Sequence, residues 1–115
     1  MSTIVYNILM KTIEYYVADN GRVPVDEWLN SLDKSIKARI LTRLIRIKDD
    51  NFGDYKRFED LIELRFSFGS GYRIYCHEVG NTLVLLLNAG DKKQQSKDIK
   101  LAKEYLADWK GKNYV

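Results

Sequence analysis

An α+β domain of two layers is the fold class this chain predicts, in the order β-α-α-β-β-β-α. Three observations carry that expectation. Alternating apolar runs separated by glycine turns fill residues 61–88, the mark of half-buried antiparallel strands. Apolar residues at three- and four-residue spacing fill positions 36–47, the mark of an amphipathic helix. A second helical stripe follows the last strand. A mainly antiparallel sheet with helices packed on one face satisfies these patterns, and it leaves the other sheet face open for binding.

Near the N-terminus, Ile13, Tyr15 and Val17 alternate with Thr12, Glu14 and Tyr16. Residues 11–17 therefore predict a β-branched and aromatic strand, which Asp19, Asn20 and Gly21 break. Pro24, the one proline, suits the first turn of a short helix carrying Trp28, Leu29 and Leu32. Asp33 is placed to N-cap a longer helix reaching residue 48. Its stripe is Ile36, Ile40, Leu44 and Ile47, flanked by Leu41 and Ile45. Residues 49–60 are polar, contain Gly53 and read as a loop.

The strand pair LIELRFSFGSGYRIY follows at residues 61–75. Gly69 and Gly71 permit positive φ in the turn between the two strands. Gly80-Asn81 is a compact hairpin signal, with glycine suited to the first central position of a type II′ turn. The returning TLVLLLN run, residues 82–88, reads as a central or well-covered strand, a pattern that a short buried helix shares. A polar connection, Asp91 to Gln95, leads to a helix over residues 96–108. Ile99, Ala102, Leu106 and Trp109 form its buried stripe, and Lys97, Lys100 and Lys103 face outward.

At 115 residues and 45% hydrophobic content, residues 1–115 are expected to form a single domain around one core. The net charge of +3 is too mild to diagnose a nucleic-acid partner. Its distribution says more: every charge in residues 34–48 is positive, namely Lys34, Lys37, Arg39, Arg43, Arg46 and Lys48. Such a block is either a solvated helix face or a dock for an acidic partner or a phosphate backbone. Cys76 is alone, which excludes an intramolecular disulfide and reads as inert packing. No secretory signal is legible at the N-terminus, and no apolar run approaches the roughly 20 residues that span a bilayer. A cytoplasmic, soluble protein without a membrane partner is expected. No HExxH, P-loop, nucleophile elbow or carboxylate cluster appears, so neither a metal nor another cofactor is indicated.

The strand pair also carries the candidate chemistry. By alternation, Ile62, Leu64 and Phe66 share one face while Glu63, Arg65 and Ser67 share the other. In the next strand Ile74 and Cys76 oppose Arg73, Tyr75 and His77. Arg65 and Arg73 thus fall on one sheet surface. Two neighbouring guanidinium groups repel each other unless an anion lies between them, whether an RNA phosphate or a protein carboxylate. For Arg73 the structural reading is an ion pair with Glu63 or Glu78.

The runs IELRFSFGSGYRIY, LVLLLN and AGDKKQQSKDIKLAKEY together resemble the phage Gp49-like, HigB-type killer proteins of the RelE/ParE toxin superfamily. The resemblance is strongest over residues 61–105 and rests on ELR, GYR and GDK in combination. It implies a RelE-like fold and a toxin of a type II toxin–antitoxin system, held by its cognate antitoxin in a hetero-oligomer. It further implies a metal-independent endoribonuclease that cuts mRNA on the ribosome and inhibits translation. ParE-type relatives imply the alternative, a non-enzymatic inhibitor of DNA gyrase.

Carried over by position, Arg73 matches the strand arginine that contacts the scissile phosphate. Arg65 matches a second basic position, and Lys92, or Lys93 in its place, a further cation near the phosphate. RelE itself has lysines on the strand occupied here by Leu61 and Glu63, and a tyrosine where Asp98 stands. Lys93, Tyr75, Gln94, Arg43 and Arg46 are candidate RNA contacts, and Gln95 is a weaker one. Tyr75 reads equally as a base-stacking or a packing residue. His77, the one histidine, lies towards the hairpin end and reads as a surface residue. Asp98 is open to three roles: orienting a cation, acting as general base, or capping the last helix.

Overall fold

The computed structural model describes residues 10–113. The reading of the N-terminus as lacking a secretory signal falls on residues 1–9, outside that range. The elements are β1 (Thr12–Tyr15), α1 (Pro24–Asn30), α2 (Lys34–Ile47), β2 (Tyr55–Phe58), β3 (Leu61–Arg65), β4 (Arg73–Val79) and β5 (Leu83–Gly90). A single 3₁₀ turn, Lys92–Gln94, then leads into α3 (Gln95–Asn113). One five-stranded sheet runs in the order β1-β5-β4-β3-β2. β1 pairs parallel with β5 and every other pairing is antiparallel.

Local sequence explains most of these boundaries. Pro24 opens α1, where its missing N–H costs nothing. Asp33 occupies the N-cap of α2, although its side chain makes no capping hydrogen bond. Gly80 takes φ of 58° in the β4–β5 turn. The stripe of α2 packs as expected: Ile40, Leu44 and Ile47 are buried, with Ile36 and Leu41 partly so. They join Val25 and Leu29 of α1 against Ile62, Leu64, Ile74, Cys76, Val84 and Leu86 of the sheet. Each side chain fully buried there contributes about 1.5–3 kcal/mol.

The α+β class and the mainly antiparallel sheet hold, with two corrections in detail. First, the segment read as a loop contains β2, paired from Tyr55↔Leu64 to Phe58↔Leu61. This is a short edge strand with Tyr55, Lys56 and Arg57 exposed, so it lacks an apolar face to announce it. Its turn into β3 is Glu59-Asp60, with Glu59 at φ 52°, and carries no glycine or asparagine signal.

Second, α1 and α2 cover one sheet face, while α3 covers part of the other. Ala102 and Leu106 of α3 pack with Leu61, Tyr75, Leu85 and Leu87. The cause lies in β5, whose continuous apolar run presents Val84 and Leu86 to one side and Leu85 and Leu87 to the other. A strand apolar on both faces requires cover on both. What stays open on the α3 side is the region around the helix N-terminus and the β2 edge.

Among the described residues, no helix is long and apolar enough to cross a membrane.

Candidate functional site

Arg65 and Arg73 are directly opposed across the β3–β4 ladder. Like charges in that register destabilise a sheet unless they are compensated. The compensating group is Glu63, two residues before Arg65 and on the same face, with only 1% of its side chain exposed. Its Oε1 accepts a hydrogen bond from Arg65 Nε at 3.0 Å. Its Oε2 lies 3.6 Å from Arg73 Nε and accepts from Gln95 Nε2 at 2.8 Å. The carboxylate therefore bridges both arginines and ties the first residue of α3 to the sheet.

This bridge occupies the Nε side of each guanidinium. Arg73 Nη1 donates to the Gly71 carbonyl at 2.7 Å. The Nη nitrogens of Arg65 carry no hydrogen bond among the described residues. Arg65 is 37% exposed and Arg73 14%, so the pair has a buried root and an accessible rim.

Lys92 joins that rim through the β3–β4 turn. Its backbone N–H faces the Ser70 carbonyl at 3.4 Å. A Cβ at Gly71 would sit 3.3 Å from both Arg73 Nη1 and Lys92 Cβ. Gly71, at φ 75°, is the thin piece of backbone that passes between the two cations. Lys92 and its neighbours Lys93 and Gln94 are exposed, and Asp91 caps their turn by accepting from Gln94 N–H at 3.3 Å. The structure thus brings Arg65, Arg73 and Lys92 together at one corner.

Behind the arginines lies a buried polar layer. A bulge in β5 pairs Tyr75 with Asn88 and Cys76 with Leu86, so Leu87 and Asn88 both turn towards α3. Asn88 Nδ2 donates to the Asp98 carbonyl at 3.3 Å. The Asp98 side chain is buried, and its Oδ2 has no hydrogen-bond partner among the described residues. It sits over Gly90, where any Cβ would collide with it, and Gly90 pairs with Arg73. Desolvation, helped by the nearby Asp91 charge and opposed by Lys97, raises the Asp98 pKa above the usual carboxylate value. Asp98 is therefore a buried carboxyl in the first turn of α3, and the capping role belongs to Asp91.

The sequence model of the family described as "Phage derived protein Gp49-like" matches residues 27–107 of this chain. The chain belongs to the Gp49-like family. That is a family of RelE/HigB-type toxins from toxin–antitoxin modules. An uncharacterized protein of Haemophilus influenzae is 46% identical over 80 residues, covering 68% of this chain and 81% of that one. The matched segment of this Gp49-like protein contains all three converging cations, Glu63 and Asp98.

Other sequence candidates are placed differently. Tyr75 is fully buried and cannot stack on a base. Its hydroxyl lies beside Glu63 without making a hydrogen bond, and burial, with the Glu63 and Asp98 charges, raises its pKa. Arg43 is turned away from the arginine face. It donates to the carbonyls of Arg65 and Asp54, and to that of Phe52 at 3.0 Å, and stacks over the Phe66 ring at 4.4 Å. Its register on α2, the helix of the opposite sheet face, made it a stitch between that helix and the loop before β2. Replacing it with alanine should cost about 1.5–3 kcal/mol of stability, read as a shift of the urea midpoint. Arg46 is exposed on the same α2 side and is not brought to the arginine corner.

His77 Nδ1 sits 2.7 Å from the Asp60 carbonyl at the far end of β4. Glu78 pairs with Lys11 and Arg57 rather than with Arg73. Cys76 is buried and burial pushes its thiol pKa up. Among the described residues, no three His, Cys, Asp or Glu side chains gather as a metal-binding group. Two participants were under-read from sequence. Gln95 anchors Glu63 rather than standing free for RNA, and Lys56 lies directly across from Glu63, on a strand that the sequence did not announce.

Proposed function

We propose that this Gp49-like protein is a type II toxin whose arginine corner cleaves mRNA on the ribosome without a metal ion. The observation that carries the reading is the orientation of the pair: Glu63 holds the Nε side of Arg65 and Arg73, and the Nη rim points outward beside Lys92. A guanidinium fixed at its root is a preorganised, always-charged donor for phosphate oxygens.

In the proposed reaction the ribose 2′-hydroxyl attacks the adjacent phosphorus. Its proton passes to a base, the P–O5′ bond breaks, and the leaving 5′-oxygen takes up a proton. The products are a 2′,3′-cyclic phosphate and a free 5′-hydroxyl. Arg73, with Arg65 and Lys92, stabilises the charge that develops on the phosphorane-like transition state. We assign proton transfer to Asp98, whose carboxyl lies over Gly90, the cross-strand partner of Arg73, and is raised in pKa by burial. Lys93 and Gln94 are placed to contact flanking nucleotides.

The antitoxin is the expected protein partner. An acidic or amphipathic segment of it would cover the arginine corner or the basic side of α2, and its association should weaken with salt.

One observation favours the gyrase alternative: Arg73 is only 14% exposed and is engaged by Glu63, as suits a protein-binding face. Primer extension on transcripts after induction separates the readings. New 5′ ends inside translated regions are expected. Growth arrest with intact transcripts, together with inhibited supercoiling by purified gyrase, would overturn the nuclease reading.

A further inference from the structure

We propose that Lys56, on the β2 edge strand, holds an RNA phosphate next to the one gripped by the arginine pair. This rests on the endoribonuclease reading above and adds a binding position to it. Lys56 is directly paired with Glu63, so its side chain lies on the face of Arg65 and Arg73. It is exposed and makes no ion pair among the described residues. Its cross-strand neighbour does not neutralise it, because the Glu63 carboxylate is buried and already committed to Arg65, Arg73 and Gln95. Its Nζ lies 6.0 Å from the centre of the Phe58 ring on the same face.

The cations therefore form an oblique line, Lys92, Arg73, Arg65 and Lys56, with Lys56 opposite Glu63 and so two residues along the sheet from the opposed Arg65–Arg73 pair. From Arg65 to Lys56 the offset is one strand spacing across and two residues along, about 8 Å. That is wider than a single phosphate group. A polyanion with one phosphate at the arginines reaches Lys56 with its neighbour. α3 packs against the β2 end at Phe58, while Tyr55, Lys56 and Arg57 of that strand stay exposed.

A lysine on a sheet edge also discourages edge-to-edge pairing. That role needs only a charge facing water, and it leaves RNA affinity unchanged. The two roles separate in the salt dependence of binding. For single strands, each phosphate contact contributes about 0.7 to the slope of log K against log salt concentration.

The test is a salt titration of binding to a short fluorescent single-stranded RNA. It uses the full chain and the variants Lys56→Gln, Lys56→Arg and Lys100→Gln. Lys100 is exposed on the outer side of α3. Lys56→Gln should lower the slope by about 0.7, Lys56→Arg should restore it, and Lys100→Gln should leave it unchanged. All three should keep the parent unfolding midpoint. A parent-like slope for Lys56→Gln, with the parent protein binding RNA, would overturn this inference alone. A parent protein that fails to bind free RNA at any salt would overturn this position, while the endoribonuclease reading stands or falls on the primer-extension result.

Discussion

Arg73→Ala should abolish transcript cleavage and growth arrest while the protein still unfolds cooperatively. Arg73 is the more buried cation: its Nε lies 3.6 Å from Glu63 Oε2 without a hydrogen bond, and its Nη1 donates to the Gly71 carbonyl. Removing one preorganised donor to a developing oxyanion typically costs about 10²–10³ in rate. A charged donor acting on a phosphorane-like centre belongs at the upper end of that range. The structural cost is smaller. Glu63 keeps its hydrogen bonds from Arg65 and Gln95, so about 1–3 kcal/mol of stability is lost. A soluble variant with a cooperative but lowered thermal midpoint, and no new transcript 5′ ends in cells, is the expected pair of observations. Arg73→Lys should rescue little, because an ammonium cannot bind Glu63 at its root and a phosphate at its rim simultaneously.

Asp98→Asn should yield a protein that is more stable at neutral pH and inactive. Burial raises the folded-state pKa of Asp98 above its ordinary value of 3.8. A carboxyl with a raised pKa is favoured in its protonated form by folding. The folded state therefore loses stability as pH climbs from the ordinary value through the raised one, and the loss stays constant above it. Asparagine escapes that penalty. The stability gap between variant and parent should be smallest below pH 3.8, open as pH rises and then level off. Thermal unfolding across that range checks it. Loss of a proton-transfer group costs about 10²–10⁴ in rate, so the cleavage defect should accompany the gain in midpoint. A group that lowers stability and supports activity marks a functional site rather than a packing one.

Much of this corner was legible because β parity is a strict rule. Alternation through ELR and GYR is enough to set Glu63, Arg65 and Arg73 on one surface and to require an anion between the arginines. The anion turned out to be Glu63 itself, already visible on that face. What escaped had no local signal. The bulge at Leu87 and Asn88 changes the parity of β5 without a glycine or proline to mark it, and it carries Asn88 over to Asp98. β2 escaped because three of its four residues are exposed and its turn is Glu59-Asp60. With it went the placement of Lys56 and the length of the sheet. Arg43 sits in a run of six cations over residues 34–48. Only the tertiary approach of the Phe52 and Asp54 carbonyls turns it from a surface charge into an internal stitch. The side of the sheet taken by α3 followed from a feature that was in view, the two-sided apolar β5, yet helix periodicity alone does not choose a face.

The central claim is that the Nη rim of Arg65 and Arg73, with Lys92, stabilises cleavage at a single phosphate. Purified protein added to translating ribosomes on a defined mRNA, with the chemistry of the new ends determined, tests it most directly. The expected result is a 2′,3′-cyclic phosphate on the upstream fragment, formed by the parent protein and absent with Arg73→Ala. Intact mRNA after incubation with the parent protein, or cutting that continues undiminished in the variant, would contradict it.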